Sequence, residues 1–370
     1  MDIQAIEISF THHPLLEAFV IGKQPPITEI TRLVVNAKVD GVVGFGQTTL
    51  ANVWAGAELE DMQAYAIVLQ QQVRTIMQAE TPLGVYEAVT PQLLADSSLS
   101  NMVAKLICYA PFDLALWDAW GKKHGKHPCQ MLASDARYAD LFLLRPRRQV
   151  YVEYTLGGVS PLLGKSGLIA TKLQNGYRIV KVKCVGNPEA DFNRVMAVYA
   201  ATNCQIWLDF NGAGNPEGVS QLCDALRACL RQGELLAVEQ PFSTSEIFDP
   251  DVHGMSQYVP FFLDEKAVLP ADIGQAKTRG YGGIVVKADK GGLSHLAEMV
   301  RVAKEHGMLV SAQDLTSHPW ASLGIAAYLT DLHMGIVEMN QGQFLMTPEP
   351  VDIRNGAVDT SSLTGPGFYP

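Results

Sequence analysis

The sequence predicts an α/β barrel preceded by an α+β unit, and three observations carry that expectation. Beyond residue 150, short apolar strands recur at 151–156, 179–184, 205–209, 235–239, 261–264, 284–287, 308–312 and 335–338. Amphipathic stretches at 190–201, 216–231, 273–279, 293–306 and 321–330 lie between most of them. Strand and helix alternating at steps of roughly 25 residues mean βα units around a parallel sheet. Before residue 150 the order differs, with strands first and helices second, which is an α+β pattern. Eight strands of this kind favour a closed barrel. An open doubly wound sheet is the alternative, but no Gly-x-Gly-x-x-Gly opens the first crossover.

The elements follow in order. Residues 6–10 alternate apolar and polar, and the segments 33–39 and 42–45 flank the turn Asp40-Gly41, a hairpin signature. Residues 11–28, with His12-His13-Pro14 and Pro25-Pro26, are expected to form a long loop. Apolar residues at three- and four-residue steps predict helices over 64–77 and 102–120. Residues 139–149 connect this unit to the barrel, and the Gly-, Pro-, Asp- and Ser-rich tail 351–370 is expected to fold back over the first segment. The division expected is an α+β domain over 1–138, a barrel over 139–340 and a returning segment over 341–370.

Composition narrows the function classes. Of 370 residues, 48% are hydrophobic and only 18% charged, against roughly 25% charged in an average soluble protein. The chain therefore has ample material for a core, and its thin charge coat leaves room for an interface between copies; a homo-oligomer is expected. A net charge of −10 disfavours nucleic-acid and anionic-membrane partners. No run approaches the roughly 20 apolar residues of a membrane span. The start, Met1-Asp2-Ile3-Gln4, lacks the basic and apolar regions of a secretion signal. Six cysteines without Cys-x-x-Cys spacing suit reduced thiols, so a cytoplasmic location is expected.

Chemistry gathers at the C-terminal ends of the barrel strands, where such folds place reactive groups. Asp209, Glu239 and Asp264 close the third, fourth and fifth strands after apolar runs. Three carboxylates crowded in a low-dielectric mouth repel one another and need a cation. Oxygen ligands without His or Cys suit a hard ion such as Mg²⁺. Each carboxylate alone also reads as a helix N-cap, although Glu is seldom chosen there. On the second strand, Lys181 and Lys183 are two apart and share a face, opposite Val180, Val182 and Cys184. Two inward ammonium groups lower each other's pKa, which tunes a lysine toward general-base work. Lys183 is nearer the strand end and is the better base, with Lys181 as its electrostatic partner; the alternative is a solvated edge strand. Lys287 ends the sixth strand, across the mouth, and is preferred to Lys290 in the loop before Gly291-Gly292. Those glycines make a tight turn into a helix, which is either a plain turn or an anion cradle. Thr155, Asn211, Glu338 and Asn340, at or beside strand ends, are candidates for substrate contact; for Glu338, bracing the barrel is the equal alternative. Together a hard cation and paired lysines suit removal of a proton α to a carboxylate. No Gly-x-Ser-x-Gly elbow supports a serine hydrolase.

At this point the chain resembles the enolase superfamily, in its muconate-lactonizing-enzyme subgroup. Lys181-Val182-Lys183, Leu208-Asp209-Phe210-Asn211, Val238-Glu239-Gln240-Pro241 and Leu263-Asp264-Glu265 match that pattern in order. Residues 113–118 followed by Gly121-Lys122-Lys123, the early Gly44-Phe45-Gly46, and the late Gly365-Pro366-Gly367 are similar to the family's capping elements. The resemblance implies a (β/α)7β TIM-like barrel with an α+β N-terminal capping domain completed by the C-terminal tail. It implies Mg²⁺ on Asp209, Glu239 and Asp264, Lys183 and Lys287 on opposite faces of an enolate, and a small-molecule carboxylate as substrate. Cap segments around His12-His13 and Thr48-Thr49-Leu50 would then choose that substrate. Strand seven, Val310-Ser311-Ala312-Gln313-Asp314, offers no His for the His–Asp dyad of the family's sugar-acid dehydratases; only His318, just beyond it, is worth following. Strand eight carries Glu338-Met339-Asn340 where dipeptide epimerases carry Asp-x-Asp, which argues against a dipeptide. Racemisation or epimerisation of an N-acyl amino acid is the leading expectation. Cycloisomerisation, β-elimination like that of o-succinylbenzoate synthase, and a non-catalytic barrel scaffold are the alternatives.

Overall fold

The computed structural model describes residues 1–19, 26–76, 79–157, 176–243 and 251–369. Two sheets organise the chain. The first is antiparallel, in the order β1 (Ile3–Phe19), β2 (Ile27–Val39), β3 (Val42–Thr49). β2 and β3 join through Asp40-Gly41, both at positive φ (49° and 86°), the two-residue turn whose twist suits a hairpin. β1 runs straight through the segment expected to be a loop: His12 pairs with Thr31, His13 with Ile30 and Pro14 with Glu29. The local sequence misleads because the pairing is long-range; Pro14 is tolerated because β1 is the edge strand and proline's missing N–H costs nothing there. Residues 20–25 of that expected loop lie outside the described residues.

Against this sheet lies a buried helix, Met102–His124. It starts at Asn101, whose side chain caps Val103 N and Ala104 N, and ends at left-handed Gly125. The contact is close enough to dictate sequence: a Cβ on Gly44 would fall 2.0 Å from Ala115 O, and one on Gly46 2.1 Å from Pro111 O. Helices Leu59–Arg74 and Pro82–Ala95 complete this layer.

The second sheet closes on itself. β4 (Gln149–Leu156), β5 (Ile179–Lys183), β6 (Gln205–Asp209), β7 (Leu235–Glu239), β8 (Phe261–Leu263), β9 (Gly283–Lys287), β10 (Leu309–Gln313) and β11 (Leu332–Glu338) are parallel neighbours in sequence order. β11 pairs back onto β4, Val337 with Val152 and Glu338 with Glu153, so the sheet is a barrel and not an open doubly wound sheet. Helices Pro188–Thr202, Pro216–Cys229, Pro270–Thr278, Gly292–Glu305 and Pro319–Tyr328 occupy the crossovers as the periodicity predicts. The barrel is filled, not hollow: Ile179, Trp207, Ala237, Phe262, Val285 and Ile336 form an inner apolar plug.

The tail adds the hairpin β12 (Ile353–Arg354) and β13 (Ala357–Asp359), with β13 antiparallel to the start of β4. It then reaches the cap, where Phe368 N and Tyr369 N both donate to Asp118 Oδ1 at 2.6 and 3.0 Å. All six cysteines are unbridged, and four of them are buried. Among the described residues no helix is long and apolar enough to cross a membrane.

Candidate active site at the barrel mouth

Alternation along each strand sends one set of side chains into the barrel. Above the apolar plug, this set changes abruptly from hydrocarbon to charge. Glu153, Lys181, Lys183, Asp209, Glu239, Lys287, Gln313 and Glu338 all come from strand C-terminal halves and all are buried. With Asp264, Asp289, Lys290 and Asp314 just past the strand ends, seven buried carboxyls face four buried lysines.

Lys181 is the hub. Its Nζ lies 2.9 Å from Glu338 Oε2, 2.9 Å from Gln313 Oε1, 3.0 Å from Glu239 Oε1 and 3.2 Å from Asp209 Oδ2. Lys183 Nζ donates to Asp209 Oδ2 at 2.5 Å. Lys287 Nζ lies 3.1 Å from Asp264 Oδ2 and donates to Gln313 Oε1 at 2.9 Å, with the Trp54 ring centroid 5.5 Å away. Lys290 donates to the Asp264 carbonyl at 2.9 Å and lies 3.5 Å from its Oδ1. Glu239 Oε2 accepts Trp207 Nε1 and Gln313 Nε2, both at 2.7 Å, which fixes that carboxylate from below.

These contacts correct one expectation about charge. Burial works against a charged lysine, yet the facing carboxylates outweigh it: Lys181 is held well above the usual lysine range, and Lys183 and Lys287 are raised. Among these four lysines burial wins only at Lys290, whose pKa is lowered. The acids show the complementary strain. Burial, together with the charges on Asp209 and Asp264, pushes Glu239 well above the carboxylate range, and burial pushes Glu153 up to about 8. The lysines thus neutralise part of the carboxylate charge that was expected to require a metal.

One cavity of about 80 Å³ brings part of the candidate set together, whereas Asp209, Glu239 and Lys181 do not line it. Lys183, Asp264, Lys287, Glu338 and Asn340 line its floor with Asp314. Its roof comes largely from the cap and is mostly apolar, with Leu15, Phe19, Ile27, Ile30, Leu50 and Trp54 beside Glu29, Thr49 and Asn52. A water occupies roughly 30 Å³ of liquid, so the space is about that of two or three waters. Trp54 also borders a second cavity of 740 Å³ alongside.

Not every expected residue reaches the 80 Å³ cavity. Thr155 is buried behind it, donating from Oγ1 to Glu338 Oε1 at 3.0 Å. Asn211 lines the larger cavity and donates to Glu265 Oε1 at 2.9 Å. Of the cap segments, Thr49 and Leu50 border the cavity, whereas His12 and His13 do not; His12 meets Thr31 and Glu29 instead. His318 caps its own helix and sits beside Trp320 and Tyr369, away from the lysines. Gly291-Gly292 is no open anion cradle: Gly291 N donates to Leu106 O, and the carboxylate near that helix start is Asp113, which accepts Ser294 N at 3.0 Å.

Sequence reasoning passed over Gln313, Asp314, Glu153 and Trp54. Glu153 and Gln313 had a legible signal, since each alternates inward on its strand. Asp314, one residue beyond its strand, had the weaker signal of position alone. Trp54 had none, because it reaches the site from the other sheet's layer.

The donor set suits a divalent ion in chemistry but not in its present arrangement. Asp209, Glu239 and Asp264 are hard oxygen donors from three consecutive strand ends, and carboxyls outnumber lysines, so a small dication fits the charge. Among the described residues, however, no three His, Cys, Asp or Glu side chains stand close enough to form a ready ligand shell. The carboxylates turn to the lysines instead.

Comparison with known proteins agrees with this architecture. The family profile described as Enolase C-terminal domain-like matches residues 168–369, more than half of the chain. No curated protein sequence matches it. Similar solved folds include a dipeptide epimerase from Enterococcus faecalis complexed with Mg and L-Leu-L-Tyr (TM-score 0.82, 19% identity, 100% of this chain and 99% of that one). An N-succinyl Arg/Lys racemase from Bacillus cereus gives a TM-score of 0.81 at 18% identity, covering 100% of this chain and 95% of the other. A muconate lactonizing enzyme from Pseudomonas fluorescens, complexed with muconolactone, gives 0.78 at 18% identity, with 99% and 95% covered. Cap, closed barrel and profile match agree: the chain belongs to the enolase superfamily, in the subgroup of mandelate racemase and muconate-lactonizing enzymes.

Proposed function

We propose that the protein removes and returns the proton α to a carboxylate, racemising or epimerising an N-acylated amino acid with apolar bulk. The observation that supports this most is the placement of Lys183 and Lys287. They end β5 and β9, the second and sixth of eight barrel strands and hence opposite one another, and both border one cavity. A base on one side and an acid on the other is what inversion at carbon requires. In one direction neutral Lys183 takes the α-proton while the Lys287 ammonium supplies one to the opposite face; in the other direction the roles exchange.

Asp209, Glu239 and Asp264 would hold Mg²⁺. When bound, it would supply Lewis-acid stabilisation of the charge that develops on the substrate carboxylate, and the three carboxylates would then be shared between it and the lysines. Lys181, locked among Glu239, Glu338 and Gln313, keeps the carboxylate layer in place and does not reach the cavity. The apolar roof excludes water from the reacting carbon, which strengthens every charge interaction beneath it.

Incubation of N-acetyl-L-leucine and N-acetyl-D-leucine in deuterated water with Mg²⁺ tests this reading. Both isomers are expected to exchange the α-proton, by NMR, and to lose optical activity. Exchange from one isomer alone removes the two-base reading, and exchange from neither removes α-proton abstraction from this class of acid.

A further inference from the structure

Arg32 is buried on the face of its strand where burial is least expected. Along β2, Leu33, Val35, Ala37 and Val39 alternate inward, while Asn36 and Lys38 on the other face are exposed. Arg32 belongs to that second face by the same alternation, yet it is 1% exposed. A charged side chain so enclosed needs fixed partners, and two are in place. Nη1 donates to Glu349 Oε1 at 2.5 Å, and Nη2 lies 3.5 Å from Oε2 of the same carboxylate. Nη2 also donates to the Thr316 carbonyl at 2.9 Å. One guanidinium thus joins the cap, the tail beyond β11 and the segment that follows β10.

The Thr316 contact is the unusual one. Thr316 has φ of +63°, in the left-handed region that a β-branched residue rarely adopts. Its neighbours are tied down on both sides: Leu315 N donates to Asp289 Oδ2 at 3.0 Å, and Ser317 Oγ accepts Thr49 N at 2.8 Å. Such a conformation persists only where its surroundings over-determine it, and Arg32 holds the carbonyl of the residue that carries it. Asp314, Leu315 and Thr316 all line the cavity beside Lys183 and Lys287, whereas Arg32 and Glu349 do not.

We propose that Arg32, set by Glu349, is a positioning residue that keeps the 314–316 turn in the strained shape forming one wall of the substrate cavity. The inference rests on the reading of that cavity as the active site. It gives a part in substrate binding to one cap residue and one tail residue that act through the turn and not by touching the substrate. Arginine suits the task because its planar fork presents nitrogens in fixed directions, here toward a carboxylate and a carbonyl.

A double-mutant cycle tests this, because glycine occupies the left-handed region without a steric penalty. Arg32→Met, Thr316→Gly and the double variant are compared with the wild-type protein. The readouts are KM and kcat for α-proton exchange of N-acetyl-leucine with Mg²⁺, and deuterium uptake of the peptide spanning 314–317 by mass spectrometry. Arg32→Met is expected to raise KM about 10-fold, the scale of one lost hydrogen bond to a charged group, to change kcat less, and to speed uptake at 314–317. On the Thr316→Gly background the same substitution is expected to raise KM less than about threefold, since the two sites are coupled. An equal factor on both backgrounds, or unchanged uptake at 314–317, would overturn the proposal. Where Arg32→Met does not fold, Glu349→Gln takes its place in the cycle, loosening the guanidinium without emptying its volume, and the same two criteria apply. If the wild-type protein exchanges nothing, the proposed reaction fails and the uptake rates alone decide: coupled effects of the two substitutions support the role of Arg32, and additive effects overturn it.

Discussion

Lys183 and Lys287 occupy equivalent places on opposite sides of the mouth, yet they are held in different ways. Lys183 hangs from one carboxylate, Asp209, at 2.5 Å. The turn after its strand is braced by the helix that follows it, where Asp191 accepts from Val185 N and Gly186 N at 2.9 and 3.0 Å. Lys287 is held on three sides, by Asp264, Gln313 and the face of Trp54. The turn after its strand is tied to the cap: Gly291 N donates to Leu106 O, Trp117 Nε1 to Ser294 Oγ at 2.8 Å, and Ser294 N to Asp113 Oδ2. One lysine belongs to the barrel alone, whereas the other is shared between barrel and cap.

The largest expected effect comes from breaking the single anchor. Asp209→Asn removes the partner of Lys183 and one partner of Lys181, and turnover in both directions is expected to fall on the order of 10²- to 10³-fold, the scale for losing one positioned electrostatic group. The same variant is expected to lose the heat of Mg²⁺ titration in calorimetry; unchanged Mg²⁺ binding would remove Asp209 from the ligand set. Gln313→Leu comes next. It frees Lys287 and Lys181 from a shared acceptor and takes a donor from Glu239, so exchange at the Lys287 face is expected to fall up to ~100-fold, the scale of a 1 Å misplacement. The Lys183 face should fall less. Equal losses at both faces would mean that the three-sided clamp is not specific to Lys287. Trp54→Leu, which removes a cation–π contact worth roughly 0.5–2 kcal/mol, is expected to slow the Lys287 face between about twofold and 30-fold, with Trp54→Phe recovering most of the rate.

The last effect is on stability and leaves the rate of turnover aside. Burial raises Asp113 to about 7, so the folded protein keeps a proton that the unfolded chain has released. Its contribution is complete below the ordinary carboxylate range and is lost as pH rises through about 7. Across that window the slope is about 1.4 kcal/mol per pH unit. Asp113→Asn is expected to flatten this part of the denaturation profile, because the cap-to-barrel brace then no longer ionises. A slope unchanged in the variant would place the titrating group elsewhere.

The barrel was legible because each βα unit repeats a local signal. The strands expected at 179–184, 205–209 and 261–264 are observed at 179–183, 205–209 and 261–263. The inward pair Lys181 and Lys183 was legible for the same reason: alternation on a strand is a local property. The extension of β1 to Phe19 was not, since it depends on pairing with Ile27–Val39, a non-local event that His12-His13-Pro14 conceals. The lysine pKa values were misjudged because mutual repulsion was weighed without the facing carboxylates. Which strand ends actually reach the cavity was also out of reach. Thr155 and Asn340 lie near the ends of adjacent strands, yet one braces Glu338 from behind and the other borders the cavity.

Single-lysine variants test the central claim most directly. Lys183→Met and Lys287→Met, each incubated with both isomers of N-acetyl-leucine in deuterated water, separate the two faces. Each variant is expected to abolish exchange from one isomer while the other still washes out its α-proton, with opposite preferences in the two proteins and no net racemisation in either. Loss of exchange from both isomers in one variant, with full racemisation in the other, would contradict an account in which the two amines work from opposite sides.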